Sequence, residues 1–115
     1  MCDTGNMKLR KYRWSRDYES AEEELEEMLK RRKFDAQRWE ADPAEDFPVQ
    51  TDNFDKQIWC AEGSIVFTVT NANGVNQQFS LQPGDALDLP ANTPYSAAAG
   101  MTGAVCYESH VQPRL

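Results

Sequence analysis

The segment PGDALDLPANTPYS, Pro83 to Ser96, decides the fold. Pro83-Gly84 suits a type II turn, with proline presetting φ at the second position and glycine taking positive φ at the third. ALDLP (86–90) then reads as a strand and YSAAA (95–99) as the next. Working outward, DKQIWCA (55–61), SIVFTVT (64–70), NQQFSL (76–81) and GAVCYES (103–109) are further strand-like runs. Their spacing of about ten residues, with turn signals between, indicates an all-β sandwich or barrel. Asn73-Gly74 lies between two such runs and signals a hairpin, and Gly63 and Gly100 each open a new run.

Upstream the pattern changes. KLRKYRW (8–14) offers a short first strand, and FDAQRWEA (34–41) another, with Phe34, Ala36 and Trp39 marking buried positions. ADPAEDFP, broken by Pro43 and Pro48, is expected to be a loop. Between the first two strands lies the one helical pattern, residues 17–33. Ser20 to Glu23 has the form of a capping box. Tyr18, Ala21, Leu25, Met28 and Leu29 share one face. Acidic residues crowd the front and Lys30 to Lys33 the end, the order that suits the helix dipole. The charged face is read as solvated, on a helix packed outside the barrel. Residues 1–7 read as a disordered tail, and 8–115 as one domain.

The chain has 115 residues, 40% of them hydrophobic and 27% charged, which is ordinary for a globular domain with a single core. Its net charge of −7 argues against a nucleic-acid partner, because a phosphate backbone would be repelled. No apolar run approaches the roughly 20 residues of a membrane helix, and the N-terminus has no signal-peptide pattern. Three cysteines, Cys2, Cys60 and Cys106, with no CxxC pair, point to a reducing, cytoplasmic setting. Cys60 and Cys106 are read as small buried hydrophobes.

The Pro83–Ser96 segment resembles the second signature motif of the cupin barrels, a Gly, five residues, then Pro-x-Gly-x-x-His. Gly84 and Pro90 fill the first two landmarks, Asn92 stands at the second Gly, and Tyr95 stands at the metal-binding His. The first motif, His-x-His, then Glu, then six residues and Gly, aligns on Gly63 behind the aromatic IWCAEG (58–63). The resemblance covers roughly residues 20 to 109 and is similar to small single-domain cupins. It implies a mainly β, double-stranded β-helix (jelly-roll) barrel with one N-terminal helix outside. Barrels of this type commonly pair, so a homodimer is expected, with KLRKYRW as the strand that could reach a partner.

Carried over residue by residue, the metal-ligand positions become Gln50, Asp52, Lys56 and Tyr95. Neutral imidazoles and a carboxylate hold iron, manganese, nickel or zinc. An amide, an ammonium and a phenol are poor substitutes, so neither metal nor another cofactor is expected. If the barrel forms, Asp52 and Lys56 should neutralise each other where the metal would sit, with Gln50 and Tyr95 hydrogen-bonded beside them. The lone His110 is expected at the surface, beyond the last strand.

Three functions compete. The first is a binding module for a small polar ligand, a sugar or an anionic metabolite, in a barrel lined by Trp59, Phe67, Phe79, Leu87 and Tyr95. The second is a metal-independent isomerase or epimerase with Tyr95 as acid and Lys56 as base. The third is a structural dimer with a filled barrel.

Overall fold

The computed structural model describes residues 7–15 and 22–111. The expected tail, up to residue 6, and the expected helix start at 17–21, including the Ser20 cap, lie outside the described residues. The elements are β1 (Arg10–Arg13), α1 (Glu22–Arg31), β2 (Ala36–Ala41), β3 (Asp46–Gln50), β4 (Asp55–Thr70), β5 (Asn76–Leu81), β6 (Asp85–Leu89) and β7 (Tyr95–Val111). None of the described helices is long and apolar enough to cross a membrane.

The framework is the antiparallel pairing of β4 with β7 along nearly their whole length, from Asp55↔Val111 to Val69↔Tyr95. Each was expected as two strands, and each is one. The first half of β4 and the second half of β7 belong to a layer ordered β1-β6-β4-β7-β2. The other halves form a second layer with β5 beside β4 and β3 beside β7. The two long strands therefore pass from one layer to the other, as in a jelly roll.

They turn the corner at register shifts between Cys60 and Glu62 and between Gly63 and Ile65. Bulges of this kind bend a strand and increase its twist. Gly63 has φ +72° and Gly103 φ +78°, both in the left-handed region. A β-carbon on Gly63 would lie 2.0 Å from the Gly103 carbonyl oxygen, and one on Gly103 would lie 2.5 Å from that of Ala41. Only glycine lets three backbones approach so closely.

The corner also resets the inward parity. Ile58 and Cys60 face the barrel core before it, and Ile65, Phe67 and Val69 after it. Trp59 and Ala61 face the opposite way, against α1, where Leu25, Met28 and Leu29 bury their side chains with Ala86 and Tyr107. The helix ends in a Schellman pattern: Lys33 has φ +57°, Phe34 N–H donates to Leu29 O, and Lys33 N–H donates to Lys30 O.

Two expectations need correction. The proline-rich stretch contains a strand, β3, because proline is tolerated where only one side of a strand is paired; β3 pairs β7 alone, with a register shift between Phe47 and Gln50. His110 lies within β7 opposite Lys56, not beyond the last strand. The N-terminal strand β1 pairs with β6 of its own chain, fixed by Arg13–Asp85 at 2.9 Å. The turns follow the sequence: Asp85 N–H donates to Gln82 O across Pro83-Gly84, and Gly84 has φ +97°.

The corner generates a prediction with an internal control. Gly63→Ala should destabilise by at least about 3 kcal/mol, combining backbone strain with overlap between main chains. Gly74→Ala has similar φ, +79°, but nothing within 4 Å of the new carbon, and should cost only about 1–2 kcal/mol. Urea unfolding of the two variants measures the difference; equal costs would show that the close approach at the corner is unimportant.

Candidate functional site

The site sits at the barrel end where β3, β4 and β7 converge. Lys56 is the second residue of β4, and strand alternation turns it inward with Ile58 and Cys60; only 4% of its surface is exposed. Tyr95 opens β7 and is buried. Gln50 closes β3 and is the register partner of Tyr95. Asp52 lies in the β3–β4 loop, where its carbonyl accepts Asn92 N–H at 2.7 Å. Asn92 has φ +58°, so at the landmark usually held by glycine it is one of the few other residues that adopts this conformation readily.

All four positions meet. Lys56 Nζ lies 3.0 Å from Asp52 Oδ2 and donates to the Tyr95 hydroxyl at 2.6 Å. That hydroxyl donates to Asp52 Oδ2 at 2.8 Å and accepts from Gln50 Nε2. Glu108, unanticipated in the sequence, adds a carboxylate oxygen 3.4 Å from Lys56 Nζ and 2.7 Å from His110 Nε2. The ammonium also lies 4.8 Å from the Tyr95 ring centroid, within cation–π range. His110, exposed at the rim, stacks on Phe54 with centroids 4.3 Å apart.

The electrostatics follow from these contacts. Burial pulls the Lys56 pKa down, but its hydrogen bonds to Tyr95 and Asp52 and the charge of Glu108 outweigh burial and leave it raised. Burial would raise the Asp52 pKa, yet the hydrogen bonds from Lys56 and Tyr95 hold it below the usual value. Burial, supported by the Asp52 hydrogen bond, raises Tyr95. The resting site is an ammonium, a carboxylate and a neutral phenol.

This donor set does not fit a divalent metal. Lys56 presents positive charge at a ligand position, and the acid nearest to it is already its ion-pair partner. Among the described residues no three His, Cys, Asp or Glu side chains are grouped as metal ligands.

Beside the tetrad opens a cavity of about 320 Å³ lined by Trp39, Phe47, Ile58, Phe67 and Ala97, with Gln50, Lys56 and Tyr95 at its polar end and Glu40 and Glu108 also exposed to it. Ala97 faces inward between Tyr95 and Ala99, and its short side chain leaves this room. Phe67 takes the place the sequence suggested. Trp59 does not: the corner reverses inward parity between 59 and 67, so the residue expected as cavity lining packs under α1. Phe79, half-buried, and Leu87 pack in the core without lining the cavity. The Trp39 indole N–H is buried and has no hydrogen-bond partner among the described residues. Alternation from the inward Cys106 was the available signal for Glu108.

No protein-family model matches the chain, and no curated protein matches it significantly. Solved structures do. They include the CENP-C cupin domain of Drosophila melanogaster (TM-score 0.59, 13% identity, covering 66% of this chain and 58% of that one). An oxalate decarboxylase of Bacillus subtilis matches with TM-score 0.64 and 16% identity over 70% of this chain and 21% of that one. The 11S allergen of Cocos nucifera matches with TM-score 0.61 and 21% identity over 69% and 23%. The chain thus adopts the cupin fold and spans less than two thirds of each of these proteins. A CENP-C domain, a decarboxylase and an allergen differ in kind, so the fold alone does not select an activity.

Two predictions follow from the tetrad. Asp52→Ala should cost about 2–3 kcal/mol, below the full cost of orphaning a buried charge because Glu108 stays near Lys56. In the double variant with Lys56→Met the losses should fall short of additive by about 1–2 kcal/mol; strict additivity in urea unfolding would mean the two side chains do not interact.

The second concerns pH. Lys56 and Tyr95, with raised pKa values, contribute stability that is full below their ordinary values near 10 and lost as pH rises through the folded values. Asp52, with a lowered pKa, contributes stability present above its ordinary 3.8 and lost as pH falls through the folded value. The stability gap between wild type and the Asp52→Ala/Lys56→Met double variant should therefore be widest between pH 5 and 9 and should narrow at both extremes. A gap independent of pH would remove the ion pair as its source.

Proposed function

We propose that this protein is a metal-independent binding module that takes a small organic ligand into the barrel cavity, over a fixed polar floor of Gln50, Asp52, Lys56 and Tyr95. The supporting observation is the cavity itself. At about 320 Å³ it lies at the lower end of the usual range for ligand pockets. It combines apolar walls with a few converging polar groups, the composition such pockets share. Its floor is already hydrogen-bonded, so the side chains need no ligand to hold their places, and little ordering cost falls on binding.

The isomerase-like alternative receives less support. A lysine base requires a depressed pKa so that the neutral amine is available, and the surroundings of Lys56 push its pKa up. The filled-barrel alternative must explain why Ala97 leaves the core open beside Tyr95. Assembly as a homodimer is compatible with the binding reading and belongs to the same proposal.

A thermal-shift screen of a fragment collection tests the reading, run in parallel on wild type and Ala97→Phe. The substitution fills the cavity with a ring and removes none of the tetrad side chains. Hits should stabilise wild type and be lost in the variant. Hits that survive the substitution, or a screen with none, would overturn the reading.

A further inference from the structure

Resting on the binding reading, we infer that the cavity selects a singly positively charged ligand with a flat apolar body and one hydrogen-bond acceptor, and discriminates against anions. The argument is an inventory of which polar atoms in the cavity are already engaged. Lys56 looks like an anion site in the sequence, but its three N–H groups face Tyr95 at 2.6 Å, Asp52 at 3.0 Å and Glu108 at 3.4 Å. An ammonium has three donors, so none is left for a ligand. The Tyr95 hydroxyl is equally committed: its proton goes to Asp52, and its oxygen accepts from Lys56 and Gln50.

What remains is of the opposite kind. Glu108 uses one carboxylate oxygen for Lys56 and His110. Its second oxygen, and the Gln50 side-chain carbonyl, accept no hydrogen bond among the described residues. These are acceptors, and both residues line the cavity. The unspent donors are the second amide N–H of Gln50, which lines the cavity, and the Trp39 indole N–H, which has no hydrogen-bond partner among the described residues but whose nitrogen is sealed from the cavity. A ligand acceptor therefore meets the Gln50 amide.

Charge points the same way. At the cavity the cation Lys56 faces two carboxylates, Asp52 and Glu108, leaving one negative charge uncompensated. His110 beside Glu108 cancels that charge only when protonated. The walls are aromatic: Trp39 and Phe47 meet edge-on with centroids 5.8 Å apart, and Phe67 and Tyr95 stand 6.2 Å apart. Ring faces together with carboxylates favour a cation with a flat body.

Isothermal titration at pH 8, where an ordinary imidazole is neutral, tests this with three probes that share a phenol ring and differ in charge. These are tyramine, the neutral 4-ethylphenol and the anionic 4-hydroxyphenylacetate. Tyramine should bind at least about tenfold tighter than 4-ethylphenol, and the anion weakest. Glu108→Gln should abolish most of the preference for tyramine while sparing 4-ethylphenol. Equal affinities, or tightest binding of the anion, would overturn the charge inference and leave the pocket reading intact. If none of the three binds, the inference fails, and the fragment screen then decides whether the pocket reading fails with it.

Discussion

The structure depends on one constraint, the contact of main chains where β4 and β7 turn from one layer into the other. Gly63 and Gly103 lie so close that a single added carbon would overlap a carbonyl. Around that contact each long strand gives one half to each layer, and every other strand except β1 lies directly against β4 or β7. Small neighbouring groups protect the corner. The Cys60 carbonyl, where regular pairing to β6 ends, accepts from Gly84 N–H at 3.1 Å and from the Trp14 indole at 3.2 Å. The bent backbone thus keeps its hydrogen bonds.

Much of this was legible in the sequence, for identifiable reasons. Pro83-Gly84 has few alternatives to the turn it makes, and the Leu25, Met28 and Leu29 face specifies helix docking. The meeting of Gln50, Asp52, Lys56 and Tyr95 was readable because the spacing of two motifs fixes which residues meet. What escaped reading was governed by bulges and edges. A one-residue register shift moves side chains to the other face, and that is why Trp59 and Phe67, with equal parity in sequence, lie on opposite sides of β4. Pro48 concealed β3 because proline is read as a breaker, although an edge strand admits it. Trp39 carried a correct hint of burial, but the lack of a partner for its N–H is a property of the assembled cavity alone.

At the site, charged and polar groups neutralise one another without an ion. In a metal centre one strong charge organises several neutral donors. Here a salt bridge, a phenol and an amide organise themselves, and each group limits what the others can offer. Lys56 is the best example: its charge is kept, and its hydrogen-bonding capacity is spent internally. Reading function from residue identity alone would assign it to anions or to acid–base chemistry. Reading it from its partners assigns it to architecture.

The parity reset at the corner has a practical consequence for changing this protein. Along β4 and β7 the residues that face the cavity alternate with those that hold α1, so the two tasks are interleaved in sequence yet separated by the thickness of a sheet. Positions such as 58, 67, 97 and 108 can be varied together without touching Trp59, Ala61 or Tyr107, which carry the helix. A combinatorial library confined to the inner set would sample cavity chemistry while the outer set keeps α1 in place.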